Sequence, residues 1–382
     1  MLRHRPAAPL TRNFENGPWV IGVITDLDKE SCRYQEKHNS PIKETSCAKA
    51  NTWVSYLKRG IFSLEFPSAK IGNAGPEGSS VEWLDEIELS AHGNFERGRD
   101  GFHPSGGRGM ELSELEWFNG HLLTPDDRTG TLFEIVSPRG LLEINAEHEF
   151  DGDASKVVPS TFQRAKLLDG SGNNSQAFFK SEWMVVKDDR MIVGGHGRSF
   201  TDPNDGTRIK NNNPKWVKII DKNFQVSHED WSGRFDRVAA VAGVTFPGYL
   251  MHEAVLWSEA RREWVFLPRR ISKEPFDAAK NEMKGGKTVI IASEDFETIT
   301  AIDVKGLQDP SGLRGFSSAK FVPGTGDSVI LALRTIEIEN SAASGKPRQT
   351  ATLLSAFEIP SGRLLVREQS FTSKKFEGLV FL

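Results

Sequence analysis

The sequence predicts an all-β fold, a five-bladed β-propeller whose ring is closed by pairing of the C-terminal strand with the N-terminal segment. Three observations predict it. The 382 residues include 24 Phe, 9 Trp, 35 Gly and 19 Pro, a balance that favours many short strands joined by turns. A degenerate unit recurs five times along the chain. Its fifth copy, "KKFEGLVFL", ends the chain, where a free strand frays unless something ties it down.

The units are "ELSELEWFNGHLLTPDDR" from Glu111, "KSEWMVVKDDRMIVGGHGR" from Lys180, "MHEAVLWSEARREWVFLPRR" from Met251, "FSSAKFVPGTGDSVILALR" from Phe316 and the terminal "FEGLVFL". Each has a small or acidic residue, a short apolar strand, a polar turn and, except in the truncated last copy, a second apolar strand. Alignment on Glu114, Glu182, Glu253, Ser317 and Glu377 gives spacings of 68, 71, 64 and 60 residues. Near-regular units of this length suggest radial repetition of small antiparallel sheets. Five hairpins of one large β-sandwich are the alternative. "WVIGVITDLD", "TWVSYLKRGIFSLEF" and "SVEWLDEIELSA" are three strands without an aligned partner, and the terminal strand completes their sheet, removing two free edges.

Residues 1–16 read as a basic, proline-containing tail with no apolar signal-peptide core, and 17–382 as a single domain. The apolar run Trp19–Ile24 is too short to span a bilayer. A net charge of −4 offers no global positive footprint for nucleic acid. Cys32 and Cys47, the only cysteines, leave open whether a bridge closes the polar segment between them. The sequon Asn173-Asn174-Ser175 is compatible with secretion but is a short motif that also arises by chance.

If the aligned positions begin the innermost strand of each blade, four glutamates and a serine converge on the central channel. Like charges so confined require raised pKa values or a bound cation. An oxygen-only set, with Ser113 beside Glu114, suits a hard cation, and a wide flexible ring favours Ca²⁺ over Mg²⁺. In an antiparallel pair the second strand returns to the same face. Its ends carry Asp126, Asp127 and Arg128; His196 and Arg198; Arg269 and Arg270; Arg334; and, at the seam, Asp26 and Asp28. Arginines around an acidic metal centre suit polyphosphate, although surface ion pairs between the same residues are the plainer reading of each. Trp183 and Trp257 are placed to stack on a base or, more simply, to pack the core. His196 and His252 read as hydrogen-bonding neighbours. No phosphate-cradling P-loop occurs, which argues against a kinase or motor ATPase.

The segments "VITDLD", "NTWVSYLKRG", "RGMELSELEWFNG", "DDRTG", "KSEWMVVKDDRMIVGG", "NPKWVK", "PGYLMHEAVLWS", "WVFLPRR", "GFSSAKFVPGT" and "KFEGLVF" run in order from about residue 19 to 382. This series resembles the calcium-activated nucleotidases, or apyrases. The resemblance implies a five-bladed propeller and a Ca²⁺-dependent hydrolase releasing phosphate from nucleoside di- and triphosphates. It also implies a secreted or secretory-lumen protein; the charge argues against a nucleic-acid partner, and the sequence leaves monomer or homodimer open. It places the metal site on Ser113, Glu114, Glu182, Glu253, Ser317 and Glu377, which the repeat alignment also picks out. The segments "CRYQEKHNSPIKETSCAKAN" and "GNFERGRDGFHPSGG" depart from the family pattern and leave base preference open. Phosphate is expected on Arg128, Arg269 and Arg270, and the attacking water on Asp26, or on Asp28 second. A calcium-containing propeller hydrolase of another ester class and a non-catalytic, calcium-stabilised binding module are the alternatives.

Overall fold

The computed structural model describes residues 17–36, 43–65, 79–92, 104–136, 160–174, 177–338 and 349–382. The expected tail and the sequon's Ser175 lie outside them, as do most of the segment 93–107 and part of the cysteine segment. Among the described residues no helix is long and apolar enough to cross a membrane.

Five blades of four antiparallel strands form the ring. The seam blade runs, from the centre outward, Phe376–Phe381, Trp19–Thr25, Thr52–Ser63 and Ser80–His92. The second contains Glu116–Phe118, His121–Asp126, Thr131–Val136 and Ser160–Lys166, and the third Trp183–Lys187, Arg190–Gly194, Trp216–Ile220 and Val226–Asp230. The fourth contains Tyr249–Ser258, Glu263–Ser272, Thr288–Ser293 and Ile299–Asp303, and the fifth Gly315–Phe321, Val329–Ile338, Gln349–Glu358 and Leu364–Thr372. The predicted closure is present: Ile21 pairs with Phe381, Val23 with Leu379 and Ile24 with Gly378. The final strand is held by the first, and the three unmatched N-terminal segments are the rest of its blade.

The core explains the strand sequences. Successive side chains of a strand point to opposite faces, and a blade is covered on both. Runs such as "WVIGVIT" are therefore apolar nearly throughout. In the seam blade, Ile21, Val23, Phe376 and Leu379 pack toward the fifth blade's Leu331, Leu333 and Leu354. Ile24 and Val380 pack the other way, with Leu122 and Phe133 of the second. The remaining apolar clusters of the described residues likewise join the second blade to the third, the third to the fourth and the fourth to the fifth. Trp183 belongs to one of these and is fully buried, with its Nε1 donating to the Gly195 carbonyl at 2.9 Å. Trp257 packs on Trp264 in the cluster that joins the third and fourth blades. Both tryptophans are core residues.

At the ring centre the packing is close. A Cβ on Gly378 would lie 2.7 Å from the Glu114 carbonyl carbon and 2.8 Å from the Leu115 nitrogen. Backbone atoms on that side cannot rotate away. Gly378→Ala is expected to destabilise by about 1–3 kcal/mol, the usual range for overpacking, as read by urea denaturation. Unchanged stability would show that the inner strands are looser than described.

Candidate functional site

Four of the aligned positions lie at or just before the start of the innermost strands, Glu253 lies midway along Tyr249–Ser258 instead, and two of the five sit at register breaks. Glu253 falls in the irregularity between His252 and Ala254, and Ser317 in that between Phe316 and Ser318. A β-bulge re-aims the side chain that it carries, so Glu253 is directed away from the neighbouring strand. It joins Glu182 and Glu377 in the lining of one hollow of about 280 Å³. Ser113, Glu114 and Ser317 are also fully buried but make other bonds. The Ser113 hydroxyl donates to the Ser181 carbonyl at 2.8 Å and that of Ser317 to the Phe376 carbonyl at 3.3 Å. The Glu114 carboxylate accepts from the Leu115 nitrogen at 2.8 Å, the Ser318 hydroxyl at 3.0 Å and the Leu379 nitrogen at 3.3 Å.

Cations not anticipated from the sequence neutralise the ring. Lys180 bridges Asp127 and Glu182. Lys375 reaches Asp26 at 2.7 Å, Glu377 at 3.1 Å, Glu337 at 3.5 Å and Asp28 at 3.6 Å. Both lysines stand two residues before a ring glutamate, in "KSE" and "KFE", on the segments that lead into the innermost strands Trp183–Lys187 and Phe376–Phe381. That spacing is the signal by which they could have been found. Arg269 is clamped by Glu253, by Glu377 at 3.0 Å and by Glu337 at 3.1 Å.

Arg270, next in sequence, differs. It is 3% exposed, lines the same hollow, and its Nη1 donates only to the Arg269 carbonyl at 3.4 Å. It makes no ion pair among the described residues. Burial and then Arg269 bring its pKa down to about 10, so it remains charged at neutral pH and is available to an anion.

A second hollow of about 300 Å³ adjoins the first and shares Asp127 and Lys180 with it. Arg128 and Phe178 form part of its wall. Arg128 is exposed, and its Nε donates to the Ser105 carbonyl at 3.3 Å. Arg108, another residue not anticipated, pairs with Glu111 at 2.5 Å and Asp28 at 3.1 Å. Asp127 Oδ1 is buried without a hydrogen-bond partner among the described residues. Asp126, the last residue of its strand, holds the turn that follows: it accepts from the Met110 and Arg128 nitrogens and the Thr129 hydroxyl.

Asp26 and Asp28 stand one contact behind the groove, through Lys375 and Glu111 which line it. Asp26, Asp28 and Glu111 each place a carboxylate oxygen within 4.8 Å of the others. Burial and then Asp28 hold Asp26 well above the usual carboxylate range. Cys32 and Cys47 are joined in a disulfide beside this cluster, where the Ser31 hydroxyl donates to the Gly109 carbonyl at 2.7 Å.

Other expected members of the phosphate face are placed elsewhere. The fifth blade's second strand continues to Ile338, so Glu337 rather than Arg334 reaches the centre. Arg334 is 1% exposed, bonded to Glu368 at 2.7 Å and lying over Phe316. Arg198 lies 3.7 Å from the Phe276 ring centroid and donates to the Ser199 carbonyl. His196 accepts from the Arg198 nitrogen at 3.0 Å. His252 packs on Phe235 and Phe266, and burial pushes its pKa down to about 3.

The ring fits a hard divalent cation by its chemistry. Its donors are oxygens alone, and burial drives Glu182 up to about 8 and Glu377 up to about 7 despite their lysine partners. Carboxylates confined in this way gain from a nearby positive charge.

The chain matches the family model described as Apyrase over residues 42–382. It is 34% identical to "Apyrase" of Cimex lectularius over 98% of this chain and 86% of that protein. It is 34% identical to "Soluble calcium-activated nucleotidase 1" of Rattus norvegicus over 99% of this chain and 77% of that one. It is 36% identical to "Apyrase apy-1" of Caenorhabditis elegans, covering 97% and 86% respectively. A five-bladed ring with an acidic centre and a full-length match of this kind leave one conclusion: the chain belongs to the apyrase family.

Proposed function

We propose that the chain is a calcium-dependent nucleotidase that hydrolyses nucleoside di- and triphosphates with release of inorganic phosphate. The observation that carries the reading is the groove itself. Three ring carboxylates converge at one end, while Arg270 and Arg128 line it without an ion pair among the described residues. The relatives' names, apyrase and calcium-activated nucleotidase, match that chemistry.

Glu182, Glu253 and Glu377 would hold the calcium, with Ser113, Glu114 and Ser317 as the other members of the proposed set. When bound, the ion supplies positive charge and Lewis acidity toward phosphate oxygens. Arg270 and Arg128 take the remaining phosphate charge, and Arg269 keeps Glu253 and Glu377 oriented. Water attacks the terminal phosphorus and the bond to the bridging oxygen breaks. Asp26, with Asp28 the second choice, acts on the attacking water from behind the groove, through Glu111 and Lys375, which line it. Asp26 is supported by its contact with Lys375, which lines the groove. The Cys32–Cys47 bridge supports an oxidising, secretory location.

The test separates products chromatographically after incubation of single nucleoside di- and triphosphates with the chain and Ca²⁺. The expected result is the shortened nucleotide plus inorganic phosphate. Cleavage of a lactone or phosphotriester with nucleotides left intact would favour the other hydrolase class, and no turnover of either would favour a binding module.

A further inference from the structure

We infer that Phe178 is the stacking platform for the nucleobase, so that the hollow it shares with Arg128 and Lys180 is the nucleoside end of the substrate groove. The inference rests on the nucleotidase reading. With both tryptophans in the core, the base needs another π-face close to the phosphate-binding cations. The aromatic side chains lining the groove among the described residues are Phe178 and Phe276.

Phe276 is already engaged. The Arg198 guanidinium lies 3.7 Å from its centroid, and Tyr249 meets it edge-on with centroids 5.6 Å apart. Phe178 is 36% exposed and is the apolar member of an otherwise polar lining. Burial alternates along the segment that leads into the third blade: Phe178, which bridges to Leu168, and Lys180 face out, whereas Phe179 is buried in the core. The ring is braced from one side by Lys166, whose Nζ lies 4.8 Å from the centroid and donates to the Thr131 hydroxyl at 2.6 Å.

The turn "DDRTG" is fitted against the same residue. Gly130 has a φ of +64°, and a Cβ there would come within 2.4 Å of the Leu167 carbonyl oxygen and 3.1 Å of the Phe178 Cβ. Glycine therefore brings the Arg128 turn close to Phe178. One wall then carries a cation free of ion pairs and an open aromatic face, and Lys180 leads from it into the hollow that holds Arg270. A nucleoside polyphosphate laid along this path has its base on Phe178 and its phosphates directed toward the acidic ring. Stacking is sequence-tolerant because every base has a π-face, so the site accepts purines and pyrimidines alike.

The test is calorimetric binding of a non-hydrolysable nucleoside diphosphate analogue and of methylene bisphosphonate, which lacks a base, to wild type, Phe178→Ala, Phe178→Tyr and Phe276→Ala in Ca²⁺. Phe178→Ala is expected to weaken the analogue about tenfold and to leave the bisphosphonate unchanged. Phe178→Tyr is expected to retain wild-type affinity. Equal loss for both ligands, or loss of the analogue in Phe276→Ala instead, would overturn the inference. Turnover measured in parallel keeps the two readings apart. A wild type that cleaves no nucleotide removes the nucleotidase reading, whereas a cleaving enzyme with unaltered Phe178→Ala binding removes only the stacking site.

Discussion

Arg270→Ala is expected to lower kcat/KM for a nucleoside diphosphate by roughly a hundred- to a thousandfold, the range found when one donor to a developing oxyanion is removed. The expectation comes from what Arg270 lacks. Arg270 is 3% exposed, and among the described residues its guanidinium hydrogen-bonds only the Arg269 carbonyl, with Glu253, Glu337 and Glu282 acting on it through space. A buried charge without a partner is held at a cost, which a phosphate oxygen would offset. Removing it breaks no ion pair among the described residues, so thermal stability is expected to hold. Arg270→Lys keeps the charge without the planar fork and is expected to recover only part of the activity.

Arg269→Ala supplies the contrast. Arg269 joins Glu253, Glu377 and Glu337, and its removal leaves buried carboxylates facing one another. Breaking a buried pair in this way costs about 3–5 kcal/mol. Adjacent arginines are thus expected to separate, one mainly in catalysis and one mainly in stability. Urea denaturation and initial rates on the same preparations check this. Equal stability losses in the two variants would contradict it.

The second large effect concerns the ring. Glu182→Gln and Glu377→Gln each remove one ligand charge while preserving shape, and each is expected to raise the Ca²⁺ concentration for half-maximal activity at least tenfold. Lys180 and Lys375 complicate the sign in a useful way. Each neutralises one of these glutamates, so a bound divalent cation competes with them. Lys180→Met is therefore expected to tighten the calcium requirement by a few-fold, the opposite direction to Glu182→Gln. A Ca²⁺ activation curve measured for each variant checks both. A curve unmoved by either glutamate substitution would place the ion elsewhere.

Much of this arrangement is legible in the sequence, for identifiable reasons. The seam could be read because Glu377 aligns with Glu253 and Glu182, and because three strand-like segments near the N-terminus lack aligned partners. The convergence of Glu182, Glu253 and Glu377 follows from radial symmetry alone. What symmetry does not encode is where a strand ends. Arg334 was expected to return to the site because "ILALR" reads as a complete strand, but pairing with Gln349–Glu358 carries the strand on to Ile338. That continuation brings in Glu337, which no pattern marked. Glu111 and Arg108 were equally hidden, since their partners Asp28 and Asp26 lie some eighty residues away in sequence. Lys180 and Lys375 were within reach, in the spacing of "KSE" and "KFE". Phe178 could have been read from alternation once Phe179 was assigned to the core.

Catalysis is expected to require Ca²⁺ at the acidic centre of the propeller. The measurement that tests it most directly is the initial rate of phosphate release from a nucleoside diphosphate in Ca²⁺, in Mg²⁺ and in chelator, for wild type and Glu182→Gln. The expected rate depends on Ca²⁺, is not matched by Mg²⁺, disappears in chelator and requires more Ca²⁺ in the variant. Wild-type hydrolysis that continues at full rate in chelator would contradict it.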